Sequence, residues 1–522
     1  MNTRLVPVIL VALVLLAAVL SITPWPVGSI QDDATYVVLG KSLASGDGYR
    51  QLNLPDQPQV AHYPPAYPLL LAVLWKLWPE FPHNLVLFKY VNAVLLALGA
   101  LGAYAYARKR LLLGSVPAAA GALTGTTCVL VLYVVGIVLS EPLFLALLFP
   151  TLIAGDKAAD AGTPLSALTA GALGGLLTLV RTIGIVFLPA LVLVLLMRRH
   201  WRAAGAALLG GLCFIAPWQI WAYVNGGDIT PALSGKYGSY LGWMLDGYRQ
   251  GGWDFAVNVV TKNVSGLGLL LNDAVMPVSL RWMRIPTFVL ALAVLLFGLT
   301  RLQKRTPVVM LFLSGYLAIM LLWPFEVNRF LMVIFPLVTL PFTLGLVELW
   351  RVRPQTRVGS VSRMALLGGA CVAIGGFLWY NARGYRQEWW SLVQRDSGLR
   401  IGGVVSWVRR NTAPNDIVAV QDDPAVYLYT GRPAVPVNDF YAMDHLRERD
   451  IREDLEKIRE ILHQYRPRFY IVGWRNTRLA ADSLARVEPE LIQAIDSIGN
   501  ATVYSISLHD DTSPNASKPT NR

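Results

Sequence analysis

Cysteine, histidine and charge are all scarce in this sequence. The three cysteines, Cys128, Cys213 and Cys371, each stand inside an apolar run. They supply neither the even, loop-borne set of a disulfide framework nor metal-ligand spacing, and read as small residues of membrane helices. The six histidines are scattered, with no HExxH or similar pair. No Walker sequence and no phosphate-cradling glycine loop occurs, which argues against an ATP-driven pump. Charged residues make up 15% of the 522, against about 25% in soluble domains. A string of ordinary soluble domains is excluded.

What fills the chain instead is apolar: 54% of residues are hydrophobic and the mean hydropathy is +0.47. The net charge of +12 would suit nucleic acid, but its location does not. Residues 381–522 hold 19 basic and 19 acidic residues, so the whole excess lies in 1–380, where short cytoplasmic loops are expected to be basic. No nucleic-acid partner is expected. Asn263, Asn500 and Asn515 begin sequons, which carry meaning only in a glycosylating secretory pathway.

A membrane helix needs about 20 apolar residues. Eleven runs qualify or nearly do: 5–22, 84–107, 115–136, 142–155, 165–180, 183–197, 203–223, 285–300, 306–323, 330–347 and 364–380. Without a clear small-residue cleavage site, the first reads as a retained helix and not a signal peptide. Basic clusters orient the set: Arg108–Lys109–Arg110, Arg198–Arg199 with Arg202, Arg301 with Lys304–Arg305, and Arg351 with Arg353 and Arg357. Eleven crossings from a cytoplasmic N-terminus put all four inside. Merging 165–180 with 183–197 would bury Arg181 at the bilayer centre, at a cost of at least ~2.5–3.5 kcal/mol, and turn three clusters outward.

The expected fold is therefore an α-helical polytopic membrane protein with about 11 transmembrane helices and a C-terminal extracytoplasmic α/β domain. Its parts are a membrane domain over 1–380, a soluble domain over 381–509 and a polar, disordered tail over 510–522. Outside lie two long loops, 23–83 and 224–284. The first is rich in Trp, Tyr, Pro and Asp, with Pro65–Trp78 suited to an interfacial helix; the second alternates Gly with Tyr237, Tyr240, Trp243, Tyr248 and Trp253, a membrane-interface composition. In the soluble domain 416–420, 469–472 and 501–507 read as strands, and 443–465 as an amphipathic helix. We see no internal repeat.

Charges at the mouths of apolar runs are informative because the bilayer penalises them. Lys89, Glu141, Arg181, Glu326 and Arg329 all fall at the outer level, beside Asp32 and Asp33. Adjacent carboxylates on a helix point about 100° apart, so one can serve chemistry while the other binds or caps; the plainer reading is an Asp N-cap on a helix over 33–45. Asp32 and Tyr36 share a face.

These residues carry a resemblance. Gln31-Asp32-Asp33-Ala34-Thr35-Tyr36, Leu39-Gly40-Lys41-Ser42-Leu43, Gly46-Asp47-Gly48-Tyr49 and His62-Tyr63-Pro64-Pro65-Ala66-Tyr67-Pro68-Leu69 resemble the first loop of the GT-C glycosyltransferases. The nearest branch holds the protein O-mannosyltransferases and the lipid A aminoarabinose transferase. Ser140-Glu141-Pro142, Leu179-Val180-Arg181-Thr182 and Arg329-Phe330-Leu331 with Phe335-Pro336 resemble later turns of that family, with Thr182 where Pro is common. The match runs in order through most of 1–347 and does not reach the tail.

The resemblance implies sugar transfer from a polyprenyl-phosphate donor to a hydroxyl of a lipid, glycan or protein acceptor at the outer face. Asp32 matches the first carboxylate of the family's Asp-Glu pair and is the expected general base; Asp33 stands where Glu is usual. Chemistry agrees: a carboxylate must take the acceptor's proton, and fixed cations must stabilise the leaving phosphate. Arg181, Arg329 and Lys89 are expected at that phosphate, His62 and Tyr63 at the donor or acceptor mouth, and Tyr36, Glu141 and Glu326 in support. No cofactor is required. A divalent metal could sit near Asp32, Asp33 and Glu141, though no ligand spacing demands one. Rival readings are a secondary transporter or lipid flippase of the cell envelope, which calls for paired charges near mid-bilayer, a scaffold presenting the tail, and another lipid-linked glycan enzyme. The expected site of action is a bacterial plasma (inner) membrane.

Overall fold

The structure is a computed structural model and describes residues 4–59, 61–226, 230–275, 281–352, 355–438 and 441–507. The stretch 510–522 and the sequon at Asn515 lie outside these residues. The chain forms α1 (Val6–Leu20), α2 (Asp32–Ser45), α3 (Ala66–Leu77), α4 (Leu85–Lys109), α5 (Ser115–Thr127), α6 (Val129–Leu132), α7 (Glu141–Ala161), α8 (Pro164–Val180), α9 (Phe187–Met197), α10 (Trp201–Asn225), α11 (Ser234–Tyr237), α12 (Tyr240–Val275), α13 (Arg281–Arg305), α14 (Pro307–Leu322), α15 (Asn328–Ile334), α16 (Pro336–Arg351) and α17 (Arg357–Arg386). The tail adds α18 (Trp389–Asn411), β1 (Val418–Val420), α19 (Asp423–Thr430), β2 (Ala434–Val435), α20 (Ile451–Tyr465), β3 (Phe469–Val472), α21 (Arg475–Val487), β4 (Ile492–Ile498) and β5 (Ala501–Ile506).

Every apolar run of the sequence is helical over most of its length. Among the described residues, helices α4, α7, α10 and α13 and the segment Arg357–Asn411 are long and apolar enough to cross a membrane, five in all, or six with the bent pair α15–α16. The chain is an integral membrane protein. Eleven crossings would also need the shorter α1, α8, α9 and α14 and the run 115–136, which breaks at Cys128, where the backbone is extended between α5 and α6. Local chemistry sets the turns: Gly162, at φ +63°, closes α7, and Pro164 opens α8, each suited to its end of a helix. Helices α8 and α10 meet backbone to backbone. A Cβ on Gly171 would lie 2.0 Å from the Ala207 carbonyl oxygen, and one on Gly210 2.2 Å from that of Leu168, the close approach that small residues permit between membrane helices. Leu13, Leu16, Val94, Leu98, Leu209 and Leu212 remain exposed, as a lipid-facing surface requires.

Two ionic levels bracket this core. At the basic end Arg110 pairs with Asp156 (3.3 Å) and Asp160 (2.6 Å), and Arg198 with Asp160 (3.0 Å). The opposite level is the site described below. Between α15 and α16 the chain bends by 57°, where Pro336 takes the first position of α16 and has no N–H to continue the preceding turn. The second long loop is largely helical: α12 runs over Tyr240–Val275 and breaks at Gly252 (φ 58°, ψ −147°).

The tail is an α/β layer with strand order β2-β1-β3-β5-β4, parallel across β2-β1-β3 and antiparallel across β3-β5-β4. The helix expected over 443–465 starts at Ile451, because Asp450 caps it by accepting from the Arg452 N–H, with Glu453 completing a capping box. The expected boundary at 380 falls inside α17, which runs on to Arg386. The tail's core is continuous with the first long loop: Val37, Leu39 and Tyr67 share one buried cluster with Val404, Val418 and Val426.

Candidate active site

The site begins with one strained turn. Before α2, the Asp32 N–H donates to the Ile30 carbonyl at 2.7 Å, a γ-turn whose central residue, Gln31, sits at φ 65°, ψ −47°. That turn is rare and strained for a side-chain-bearing residue, and it aims the two following carboxylates apart. Asp33 turns inward. Its Oδ2 accepts from the N–H groups of Gly28 (2.9 Å) and Ser29 (3.3 Å), and its Oδ1 from that of Ala34 (2.9 Å). It pins the preceding loop and does not cap the helix. Asp32 turns to a cavity of about 650 Å³ and keeps 29% of its side chain open to it.

The cavity gathers cations from distant turns. Arg329, on α15, reaches Asp32 Oδ2 at 2.7 Å and Glu141 Oε1 at 2.8 Å. Arg181, at the end of α8, reaches the same Glu141 oxygen at 2.7 Å and Ser140 Oγ at 3.2 Å. Tyr63 donates its hydroxyl to Asp32 Oδ1 (2.7 Å), and Tyr36 shares a hydrogen bond with Ser140 (3.1 Å). Two guanidinium groups thus face two carboxylates. Burial pushes the Asp32 carboxyl up, but Arg329, the Tyr63 hydroxyl and Arg181 outweigh it and hold the group below the ordinary aspartate range. His62 is buried beside Tyr63 with ring centroids 4.0 Å apart; burial lowers its pKa to about 4, so it is neutral at physiological pH.

The opposite wall is aromatic and comes from the second loop and the turn before α15. Trp243 packs against Tyr240 (5.5 Å), Phe325 (5.5 Å) and Trp323 (6.5 Å). Glu326 is exposed on the rim. Part of the lining is apolar, with Ile183, Ile185, Ile319 and Met320; Ile185 and Ile319 are 39% and 40% exposed.

The structure therefore brings together Asp32, Tyr36, His62, Tyr63, Arg181, Glu326 and Arg329 around one cavity, with Glu141 behind the two arginines. Lys89 is placed elsewhere. Its buried ammonium donates to the carbonyls of Thr23 (2.8 Å) and Trp25 (2.9 Å), so it anchors the start of the loop, correcting its expected place at the donor phosphate. Among the described residues no three His, Cys, Asp or Glu side chains could together hold a metal ion, and Asp32, Asp33 and Glu141 already direct their oxygens at arginines, a tyrosine and backbone N–H groups. Lys236 also lines the cavity and was not signalled by the sequence, where it is one lysine in a glycine- and aromatic-rich loop.

Asp33 yields a prediction of stability. Burial pushes its carboxyl up to about 6, from 3.8 when unfolded. A carboxyl raised in the folded state favours folding by proton uptake, fully below the unfolded value and not at all above the folded one. The solubilised chain should gain at most about 3 kcal/mol from this group between neutral and acid pH. Thermal midpoints at pH 7 and 5 should rise more for the parent than for Asp33→Asn; equal slopes would remove Asp33 from this role.

No family model and no curated protein matches the sequence. Solved structures do. The crystal structure of ArnT from Cupriavidus metallidurans bound to undecaprenyl phosphate superposes with a TM-score of 0.54 at 13% identity, covering 97% of this chain and 98% of that one. ArnT in the apo state gives 0.51 at 12% identity, covering 95% and 97%. From membrane helices to terminal sheet, the protein has the fold of ArnT, the architecture implied by its first-loop resemblance to the GT-C glycosyltransferases.

Proposed function

We propose that this protein is a membrane glycosyltransferase that moves a sugar from a polyprenyl-phosphate donor, of the undecaprenyl class, to a hydroxyl acceptor at the outer face of a bacterial inner membrane. The observation that carries the reading is the mixed lining of one cavity: an ionised Asp32 and two guanidinium groups together with the apolar Ile183, Ile185, Ile319 and Met320, of which Ile185 and Ile319 are exposed. A lipid phosphate bearing a sugar has that same mixed character.

Donor binding and base activation are coupled in this scheme. With Arg329 on Asp32, the carboxylate is ionised but weakly basic. A phosphate entering the neutral set of two arginines and two carboxylates competes for Arg329 and leaves Asp32 more basic. The acceptor hydroxyl then gives its proton to Asp32 as its oxygen attacks the anomeric carbon. The bond from that carbon to the phosphate oxygen breaks, its electron pair stays on the phosphate, and Arg181 and Arg329 meet the added charge. No cofactor enters the scheme. The test is transfer of radiolabelled sugar from polyprenyl-phosphate monosaccharides by the purified chain; no transfer from any of them would overturn the reading.

Orientation is tested separately. Eleven crossings from a cytoplasmic N-terminus place the tail outside, so a reporter fused after Asn411 should be active only where export activates it. Cytoplasmic reporter activity would reverse the topology.

A further inference from the structure

The tail reaches the cavity through one carboxylate. Asp423, the first residue of α19, is fully buried, and it joins three elements that are far apart in sequence. It pairs with the Lys236 ammonium of α11. It accepts from the Tyr237 hydroxyl (2.5 Å) and from the Asn53 side-chain amide of the first loop (2.8 Å). Lys236 and Tyr237 line the cavity; Asp423 does not.

We propose that Asp423 is a positioning residue for donor binding, which holds the second outer loop in place as the cavity wall. The inference rests on the transferase reading. Helix α11 has four residues, too few to hold its shape unaided in water. Gly238 follows it, and α12 starts at Tyr240. The aromatic wall of Tyr240 and Trp243, packed at its other side on Trp323, thus begins three residues after the Lys236–Tyr237 tie. Tyr237 and Tyr240 flank His62 at 6.5 and 5.8 Å, so the tie also sets the face opposite Asp32. A buried ammonium stripped of its partner is strongly destabilised where it lies. Without Asp423, Lys236 is driven toward solvent and the loop leaves with it.

The test uses the full chain in lipid nanodiscs, with undecaprenyl phosphate as the probe, read by tryptophan fluorescence, and hydrogen exchange over 232–243. Asp423→Asn keeps an acceptor for Tyr237 and Asn53 but removes the charge. It should bind the probe about tenfold more weakly or worse and speed exchange of 232–243 while the membrane helices exchange as in the parent. Asp423→Glu, which restores the charge, should recover most of both. Parent-like binding by Asp423→Asn overturns the inference alone, as does weakened binding with the loop's exchange unchanged. If Asp423→Asn loosens the membrane helices too, Asp423→Glu decides: weakened binding together with parent-like loop exchange there overturns the inference. Failure of the parent chain to bind the probe overturns the transferase reading, and this inference with it.

Discussion

Asp32→Asn should transfer sugar about 10²–10⁴-fold more slowly than the parent chain, the usual cost of losing a general base. The substitution is close to isosteric and keeps an oxygen for the Tyr63 hydroxyl, now 2.7 Å from Asp32 Oδ1, so folding and insertion should persist. What disappears is the proton acceptor facing the cavity. Asp33→Asn is the matched control. Its three hydrogen bonds come from backbone N–H groups outside the cavity, and its rate should stay within about tenfold, the scale of one ordinary hydrogen bond. Initial rates with labelled donor decide the matter. Full turnover in Asp32→Asn with none in Asp33→Asn would move the base by one residue; normal transfer by both and by the double variant would end the carboxylate-base mechanism.

Arg329→Ala should lower kcat/KM for the donor by about 100-fold or more. A charge-assisted contact to the donor phosphate is worth about 1.5–3 kcal/mol, and Arg329 also contacts Asp32 and Glu141 at the cavity. The variant has a second signature. Arg329 is the chief opponent of burial in keeping Asp32 ionised, so its loss should shift the acid limb of the pH–rate profile to higher pH. Arg329→Lys should recover little, because one ammonium cannot reproduce the two-sided guanidinium contact. Arg181→Ala, which leaves the Asp32 pair intact, should cost less, about 10-fold, the lower end of one charge-assisted contact. Parent-like kinetics in Arg329→Ala at normal membrane abundance would reduce the residue to an ordinary helix end.

Much of this site could be read from the chain because charge is rare and costly in its membrane half. Asp32, Arg181 and Arg329 each interrupt or border apolar sequence, and their convergence follows once helices are laid side by side. The same logic misplaced Lys89, since a cation at a helix mouth serves backbone carbonyls as well as it serves a phosphate. Asp423 was illegible for the opposite reason. It is one of 19 acidic residues in a tail with 19 basic ones, and its partner Lys236 lies 187 positions away. Among the elements, the break at Cys128 carries no Pro or Gly to announce it. Strand β4 has no alternation to find, because five successive residues, 493–497, are exposed and its place is set by pairing with β5.

The 57° bend ahead of Pro336 makes α15 a short lever with Arg329 near its free end. Seven residues of helix span on the order of 10 Å. Straightening the pair would sweep the guanidinium through a comparable distance, far beyond the reach of Asp32 or Glu141. Position 125 on the neighbouring helix has to stay small to keep the fulcrum seated, since a Cβ on Gly125 would come within 2.7 Å of Pro336 Cα. The electrostatics of the site are thus set in part by a steric contact away from it, between a glycine and a proline that do not line the cavity.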